Sequence, residues 1–430
     1  MARALGLDFG TTNTVIALAE GDGATQSMPF ASSAGTTDTM RTALSFMKDR
    51  QLGAQALKVE AGQAAIRAFI DNPGDCRFLQ SIKTFAASPL FQGTLIFARR
   101  HQFEDLMEIF LRRLSAYAGE AWPAEVSRIV VGRPVHFAGA SADADLALER
   151  YNTALTRLGF PEIAYVYEPV AAAHYFAQNL QKDANVLVAD FGGGTTDYSL
   201  IRFERHGGKL AATPVGHSGV GIAGDQFDAR MIDHLVAPEI GKGSQFRSFD
   251  KLLDVPSNYY TSFSRWNQLS IFKGSKEFSD LKSLIRSALE PEKLEMFVDL
   301  VEHDEGYPLY QAISATKMSL SHAEEAEFYF APLGRAGRKT VQRGAFESWI
   351  AEDLARMESA LDEVLVSTNT EASAIDKVFL TGGTSFVPAV RNIFTRRFGD
   401  EKIESGGELL SIAHGLALIG EGEDLDQWAA

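Results

Sequence analysis

The chain carries nearly the same phrase twice, as "LGLDFGTTNTVIAL" at residues 5–18 and as "LVADFGGGTTDYSLI" at residues 187–201. Each copy runs from apolar residues into Asp-Phe-Gly, through a pair of threonines, and into a second apolar run. This pattern predicts a strand, a glycine turn and a second strand. The first turn does not lead into a helix pattern, so it is neither a Walker A loop nor a dinucleotide fingerprint.

The rest of the chain extends this repeat from a phrase to an architecture. Two helix candidates rich in small residues, "EPVAAAHYFAQNL" at 168–180 and "ELLSIAHGLALIG" at 408–420, come near the end of each half. Small residues on one helix face indicate close packing, and the matching positions indicate a duplicated α/β fold. Residues 241–305 interrupt the second half, and their aromatic side chains predict an inserted subdomain rather than a linker.

Composition narrows the class of protein. A chain of 430 residues with 45% hydrophobic and 23% charged residues is typical of a globular protein with two or more lobes. There is no apolar run of about 20 residues, and the N-terminus leaves no room for a signal peptide. A single cysteine, Cys76, excludes an internal disulfide. We therefore expect a cytoplasmic protein without a membrane partner.

The net charge of −15 argues against a broad basic surface for nucleic acid. It does not exclude a nucleotide, because consecutive backbone N–H groups and hydroxyls in a glycine turn suffice to hold phosphate oxygens. Asp8 and Asp190 end the two predicted strands, where a carboxylate can hold Mg²⁺ through its water shell. A third glycine-rich phrase, "VFLTGGTSFVPAVRNIF" at 378–394, is either a ribose or base site or an ordinary turn from a strand to a helix.

Five motifs occur in a fixed order: "GLDFGTTNT", "VYEPVAAA", "VADFGGGTTDYS", "GIAGDQFD" and "VFLTGGTSFVPAVRNIF". In this order they resemble the ATPase domain of the seventy-kilodalton heat-shock (DnaK-like) chaperones. The resemblance implies an actin-like ATPase fold with duplicated ribonuclease H-like lobes around a central nucleotide cleft. We expect lobe I at 1–183, lobe II at 184–420 with the inserted subdomain, an acidic tail at 421–430, and no peptide-binding domain.

The resemblance also implies roles for individual residues. The phosphates are expected at Gly10, Thr11, Thr12, Asn13, Gly192, Gly193, Gly194 and Thr195. Asp8 and Asp190 are expected to position Mg²⁺, and the catalytic group is expected to be Lys83, Glu168, Thr195 and Asp197. Residues expected near adenosine are Gly224, Asp225, Lys317, Ser321, Gly382, Gly383, Thr384 and Ser385. Pro134 matches the family's proline switch, although a proline that ends a strand is equally expected.

Four of these assignments have a plainer alternative. Lys83 could be a solvated surface lysine, and Glu168 a carboxylate favoured by a helix N-terminus. Lys317 and Ser321 could lie on an exposed helix face. Ser314 and Met318 stand where the family has a glutamate and an arginine, so the adenosine contacts differ from the family's pattern.

The sequence supports one leading function and two alternatives. The leading hypothesis is a chaperone-type ATP switch that binds ATP or ADP with Mg²⁺, and with K⁺ as a further cation, and hydrolyses ATP slowly. Its partners would be a protein client or a co-chaperone, and we expect a monomer. The alternatives are an actin-like filament-forming ATPase, and a small-molecule kinase in which Asp197 takes a hydroxyl proton.

Overall fold

A computed structural model describes residues 4–21, 23–49, 56–72, 75–123, 125–138, 141–178, 180, 182–206, 209–265, 269–404, 409–422 and 425–428. The chain divides into two compact units. Unit 1 comprises residues 1–223, 356–386 and 390–430, and unit 2 comprises residues 224–355 and 387–389.

The strands are β1 (Ala4–Phe9), β2 (Asn13–Gly21), β3 (Ala24–Ser27), β4 (Phe30–Ser32), β5 (Gly35–Thr37), β6 (Met40–Arg41), β7 (Ala43–Lys48), β8 (Leu57–Ala61), β9 (Cys76–Gln80), β10 (Thr94–Ile96), β11 (Arg99–His101), β12 (Arg128–Arg133), β13 (Ile163–Tyr167), β14 (Ala184–Phe191), β15 (Thr196–His206), β16 (Lys209–Val220), β17 (Gln245–Ser248), β18 (Lys251–Asp254), β19 (Glu325–Tyr329), β20 (Arg338–Gln342), β21 (Lys377–Thr381) and β22 (Ile403–Glu404).

The α-helices are α1 (Gly62–Asp71), α2 (Phe103–Ala118), α3 (Ala144–Arg157), α4 (Glu168–Ala177), α5 (Gly224–Leu235), α6 (Asn258–Ser264), α7 (Leu269–Lys273), α8 (Lys276–Leu284), α9 (Pro291–Glu302), α10 (Gly306–His322), α11 (Arg343–Trp349), α12 (Ala351–Ser367), α13 (Pro388–Phe398), α14 (Ser411–Glu421) and α15 (Leu425–Trp428). None of the helices described is both long and apolar enough to span a bilayer.

Unit 1 contains two sheets of the same topology. The first has the order β13-β12-β1-β2-β3, with β6 also paired to β2, and the second has the order β16-β15-β14-β21-β22. In each sheet three consecutive strands form an antiparallel meander, and two later strands add in parallel beside its first strand. This repetition matches the duplication that the repeated phrase predicts.

The strand registers align the two copies of the phrase residue by residue. Asp8 pairs with Val15 across the first hairpin, and Asp190 pairs with Asp197 across the second. Each turn contains four residues, at 10–13 and at 192–195, between its paired strands. The Thr-Thr pairs of the two copies are therefore offset by two positions, and the first copy has Val15 where the second has Asp197.

The two helices rich in small residues cross over between the sheets. Helix α4 follows the last strand of the first sheet and packs on β14, β15 and β21, whereas α14 follows the last strand of the second sheet and packs on β1, β2 and β12. The two helices also pack on each other, and a Cβ on Gly415 would lie 1.8 Å from the Ala171 carbonyl oxygen. This contact explains why small residues occupy these positions, and it joins the cores of the two sheets.

Unit 2 is mainly helical, with the hairpins β17–β18 and β19–β20. Of the aromatic residues predicted to fill the inserted subdomain, Tyr259, Phe263 and Phe272 are buried, Phe246 is half-buried, and Trp266 lies outside the described residues. Phe263 and Phe272 both pack against Phe297. The predicted boundaries of the lobes and of this subdomain stay predictions.

Candidate functional site

The first glycine turn connects β1 to β2 and is held by backbone geometry and by Thr42. A Cβ at Gly10 would lie 2.2 Å from the Asn13 carbonyl oxygen, so the turn requires glycine there. The Thr42 hydroxyl donates to the Gly10 carbonyl at 2.7 Å, and the Thr42 N–H donates to the Thr12 carbonyl at 3.0 Å. The N–H of Ser81, which precedes the turn containing Lys83, donates to the Thr42 carbonyl. Thr42 therefore ties the first turn to Lys83.

The second glycine turn connects β14 to β15 and approaches the first. The Gly192 N–H donates to the Thr195 carbonyl at 2.9 Å, which closes the turn. A Cβ at Gly194 would lie 3.8 Å from the Thr11 hydroxyl oxygen. The structure thus brings together the two turns that the sequence predicted as phosphate sites.

The third glycine-rich phrase lies against the second turn. Gly382 adopts a φ of +83°, and a Cβ there would lie 2.0 Å from the Phe191 carbonyl oxygen. The Thr384 hydroxyl donates to the Gly192 carbonyl at 3.4 Å, and the Ser385 hydroxyl donates to the Gly382 carbonyl at 2.6 Å. All three glycine turns consequently meet in unit 1.

Lys83 and Glu168 form a buried ion pair beside these turns. The Lys83 Nζ lies 2.6 Å from the Glu168 Oε1, and both side chains are over nine-tenths buried. Lys83 is part of a short 3₁₀ turn at Ile82–Phe85, and Glu168 is the first residue of α4. The interpretation of Lys83 as a solvated surface lysine is therefore wrong. Glu168 does begin a helix, but it also has a specific cationic partner.

Asp197 is held by the loop that follows β12. Its Oδ1 accepts hydrogen bonds from the backbone N–H groups of Val135 at 2.9 Å and His136 at 3.2 Å. Pro134 directly precedes these two amides in the chain. The other carboxylate oxygen, Oδ2, is buried and has no protein partner among the described residues.

Burial and neighbouring carboxylates raise the pKa values of three aspartates of the site. Burial first, and then the charge of Glu168, raise the pKa of Asp8 to about 7, whereas Lys83 acts to lower it. The same two causes raise the pKa of Asp197 to about 7. Burial and the charges of Glu168, Asp8 and Asp197 raise the pKa of Asp190 well above its usual range. Ionising these carboxylates is therefore unfavourable with Lys83 as the cation beside them, and a further cation would favour their charged form.

Asp8 and Asp190 fit a hydrated Mg²⁺ better than a directly ligated metal. Within the part of the chain that the structure describes, no group of three or more His, Cys, Asp or Glu side chains could hold a metal ion. Two carboxylates that influence each other electrostatically, beside two turns suited to phosphate oxygens, are typical of Mg²⁺ sites completed by water and phosphate.

The residues expected near adenosine on α5 and α10 belong to unit 2. The Lys317 Nζ lies 2.6 Å from the Asp228 Oδ1 and donates to the Gly224 carbonyl at 3.3 Å. The Ser321 hydroxyl donates to the Lys317 carbonyl at 3.2 Å. The Lys317 side chain is only 16% exposed, so the alternative of an exposed helix face is wrong for it.

Sequence reasoning missed three residues that shape these groups. Asp228 could have been predicted, because it ends the motif "GIAGDQFD" and lies four positions after Gly224 on the same helix face. Thr42 and Tyr151, the latter buried close to Lys83, lie in segments without a motif. No local signal could have identified them.

Two sheets of one topology, with crossed helices between them and a glycine turn from each, define the class of actin-like ATPase folds. Comparison with known proteins gives the family. The family model described as "Hsp70 protein" matches residues 91–248 and 283–421, which is more than half of the chain. The chain belongs to the Hsp70 family. The interruption of the match falls within the predicted insertion.

The chain is also similar to a curated relative, the chaperone protein DnaK of Thermosipho melanesiensis. The two are 26% identical over 416 residues. The alignment covers 96% of this chain and 58% of the relative. The chain therefore spans somewhat more than half the length of this relative.

Proposed function

We propose that this chain is a chaperone-type ATP switch, which binds ATP or ADP with Mg²⁺, hydrolyses ATP slowly and changes conformation with the bound nucleotide. The observation that carries the proposal is the approach of the two glycine turns at Gly194 and Thr11, beside the buried pair of Lys83 and Glu168. Family membership supports this function and does not favour the filament-forming or kinase alternatives.

The arrangement suits phosphoryl transfer to water, which depends mostly on positioning and charge stabilisation. The backbone N–H groups of the turns at 10–13 and 192–195 would bind phosphate oxygens. Asp8 and Asp190 would hold Mg²⁺, which when bound neutralises charge on the phosphates. Lys83 would stabilise the terminal phosphate.

Asp197 would orient the attacking water through Oδ2, because the backbone amides of Val135 and His136 already occupy Oδ1. Thr195, whose side chain acts to lower the pKa of Asp197, would help to keep that carboxylate ionised and in place. Glu168 would hold Lys83 in position before nucleotide binds, at the 2.6 Å separation of the ion pair.

The remaining assignments extend the same proposal. Gly382, Gly383, Thr384 and Ser385 would contact ribose or base, and Gly224, Asp225, Lys317 and Ser321 would contact adenosine. We further propose that the chain acts as a cytoplasmic monomer, that K⁺ assists catalysis, and that a protein client or co-chaperone reads the nucleotide state.

The deciding experiment is ATP turnover by the purified chain, per molecule, over a wide range of protein concentration, with calorimetric titration of ADP in parallel. A slow turnover that does not depend on protein concentration would support a solitary switch. Turnover that rises sharply above a threshold concentration would instead indicate assembly and favour a filament. Failure to bind ATP or ADP with Mg²⁺ would contradict the proposal.

A further inference from the structure

Tyr151 of α3 is a fully buried tyrosine whose hydroxyl has no hydrogen-bond partner among the described residues. A buried hydroxyl without a partner costs free energy of folding, and a phenylalanine would fill the same space without that cost. The proposed hydrolysis of ATP assigns no role to this hydroxyl.

Three aromatic rings hold the Tyr151 ring in place. Phe103 stacks on it at a centroid distance of 5.7 Å, and Phe9 and Phe137 meet it edge-on at 5.8 Å and 6.3 Å. Phe9 directly follows Asp8, and Phe137 directly follows His136, whose amide binds Asp197. The ring is therefore fixed against two segments that carry candidate site residues.

The Tyr151 phenol is an electrostatic neighbour of the buried ion pair. The phenol interacts electrostatically with Lys83 and Glu168, and also with Tyr165 and Asp8. Burial raises its pKa, so it stays a neutral hydroxyl at physiological pH. The Lys83 ammonium has three N–H donors, of which Glu168 accepts one, and within the described chain no second acceptor is in hydrogen-bonding distance. A hydroxyl without a hydrogen-bond partner thus interacts electrostatically with an ammonium that has two N–H donors left.

We infer that Tyr151 is a positioning residue for Lys83, whose ammonium donates its second hydrogen bond to the Tyr151 hydroxyl, directly or through one water, when nucleotide is bound. With Glu168 and Tyr151 occupying two of the three donors, the third points at the terminal phosphate. This inference rests on the proposed function, because the orientation of the Lys83 ammonium matters only if Lys83 stabilises a phosphate.

The first test is Tyr151→Phe, which keeps the ring and removes only the hydroxyl. We expect kcat for ATP hydrolysis to fall about tenfold, because a hydrogen bond to a charged group is lost. The KM for ATP should stay within about twofold, since substrate binding is not affected. The melting temperature should stay the same or rise, because a buried hydroxyl without a partner is removed.

Tyr165→Phe is the matched control. The Tyr165 hydroxyl is also buried without a partner in the described structure, and it interacts electrostatically with Tyr151. Unlike Tyr151, it is not among the groups that shift the pKa of Lys83 most. We expect this variant to keep kcat within about twofold while gaining comparable stability. An equal fall of kcat in both variants would overturn the inference, because it would indicate a general effect of repacking.

A second readout does not depend on hydrolysis. In protein labelled with ¹⁵N-lysine and saturated with Mg·ADP and inorganic phosphate, the Lys83 ammonium signal should exchange hydrogen with solvent several-fold faster in Tyr151→Phe than in wild type. An unchanged Lys83 signal would overturn the inference, whatever the effect on kcat. If the wild type hydrolysed no ATP, the proposed function would fail, while this measurement would still show whether Tyr151 binds Lys83.

Discussion

Lys83 supplies positive charge to a buried site in which four carboxylates influence one another. Glu168 raises the pKa values of Asp8, Asp190 and Asp197, whereas Lys83 lowers all three. Removing one partner of a buried ion pair normally leaves an uncompensated charge. Here the two partners are not equivalent, because loss of the lysine increases the imbalance and loss of the glutamate reduces it.

This asymmetry predicts different stabilities for the two single variants. Lys83→Met should lower the free energy of unfolding by about 3–5 kcal/mol, whereas Glu168→Gln should lower it by less than about half as much. Urea unfolding at pH 7.5 without nucleotide checks this. Equal losses in the two variants would show that the ion pair, rather than the charge of the whole cluster, dominates stability.

The proposed Mg²⁺ site predicts that Asp8→Asn and Asp190→Asn impair chemistry more than binding. Each variant should reduce Mg²⁺-dependent hydrolysis by about a hundredfold or more, because the metal loses a carboxylate that fixes its position. Affinity for ADP without Mg²⁺ should change by less than about threefold. Single-turnover hydrolysis and calorimetry measure the two quantities.

The control for these variants is Asp250→Asn, at an exposed turn between β17 and β18. It should leave hydrolysis and ADP affinity unchanged. Equal losses of hydrolysis and ADP affinity in Asp8→Asn, together with a lower melting temperature, would indicate damaged folding instead of a lost Mg²⁺ site.

At the scale of elements, the contact of α4 with α14 depends on the absence of a side chain at Gly415 of α14. A glycine inside a helix normally weakens it relative to alanine. At position 415, however, the Ala171 carbonyl occupies the space that the Cβ of an alanine would need. We predict that Gly415→Ala lowers the free energy of unfolding by about 2–3 kcal/mol or more, because the helices must separate. Chemical denaturation measures this loss.

Gly344, near the start of α11, provides the matched control, since a Cβ there would meet nothing within 4 Å. Gly344→Ala should be neutral or stabilising by up to about 1 kcal/mol. If Gly415→Ala were equally harmless, the close approach of α4 and α14 would not be required for stability.

Helix α4 also carries a pH-sensitive contact with the C-terminal helix α15. Burial lowers the pKa of His174 to about 4, its Nδ1 has no partner among the described residues, and its ring meets Trp428 edge-on at 5.0 Å. The folded state holds this histidine neutral, whereas the unfolded chain takes up a proton near its usual pKa of about 6.5. Stability from this group is therefore complete above about pH 6.5 and is lost as the pH falls towards 4.

We predict that the wild type loses roughly 1–2 kcal/mol more than His174→Phe between pH 6.5 and 4.5. The phenylalanine keeps an aromatic ring against Trp428 without a titratable group. Urea unfolding at several pH values measures the difference. His322→Phe, at an exposed position, should keep the wild-type pH dependence. The same pH dependence in His174→Phe and wild type would contradict the assignment.

At the scale of the whole molecule, the proposed function predicts that nucleotide stabilises the folded chain. Mg·ADP at a hundred times its dissociation constant should add about 2.7 kcal/mol to the free energy of unfolding. Thermal melting with ADP, with Mg²⁺ alone and with both checks this, and the combination should shift the midpoint most. Equal shifts with GDP would argue against recognition of adenine.

Several helices and strands could be predicted from local patterns in the sequence. The sequence patterns predict a strand at 163–167 and helices near 102–118, 308–322 and 344–367. The strand coincides with β13, and the first two helices differ from α2 and α10 by one or two residues at their ends. The strand is a continuous apolar run, and α2 has a clear amphipathic pattern, so both carry a local signal. The helix predicted at 344–367 is instead two helices, because the buried Ile350 leaves helical geometry between α11 and α12.

The candidate site was predictable only in part. The glycine turns and the aspartates beside them stand out in the printed sequence, because each motif is continuous along the chain. The pairing of Lys83 with Glu168 joins residues 85 positions apart, and Thr42 reaches a turn 32 positions away. Contacts between residues so far apart in the chain produce no local sequence motif from which they could be predicted.

The repeated phrase and the small-residue helices were enough to predict a duplicated α/β fold with a phosphate turn in each half, because hydrogen bonding and side-chain period act over a few neighbouring residues. Which sheet each helix covers, which threonine holds the first turn, and which groups surround Lys83 depend on the folded chain. Those choices arise from close packing and burial of charge, which involve residues that meet only after distant segments have come together.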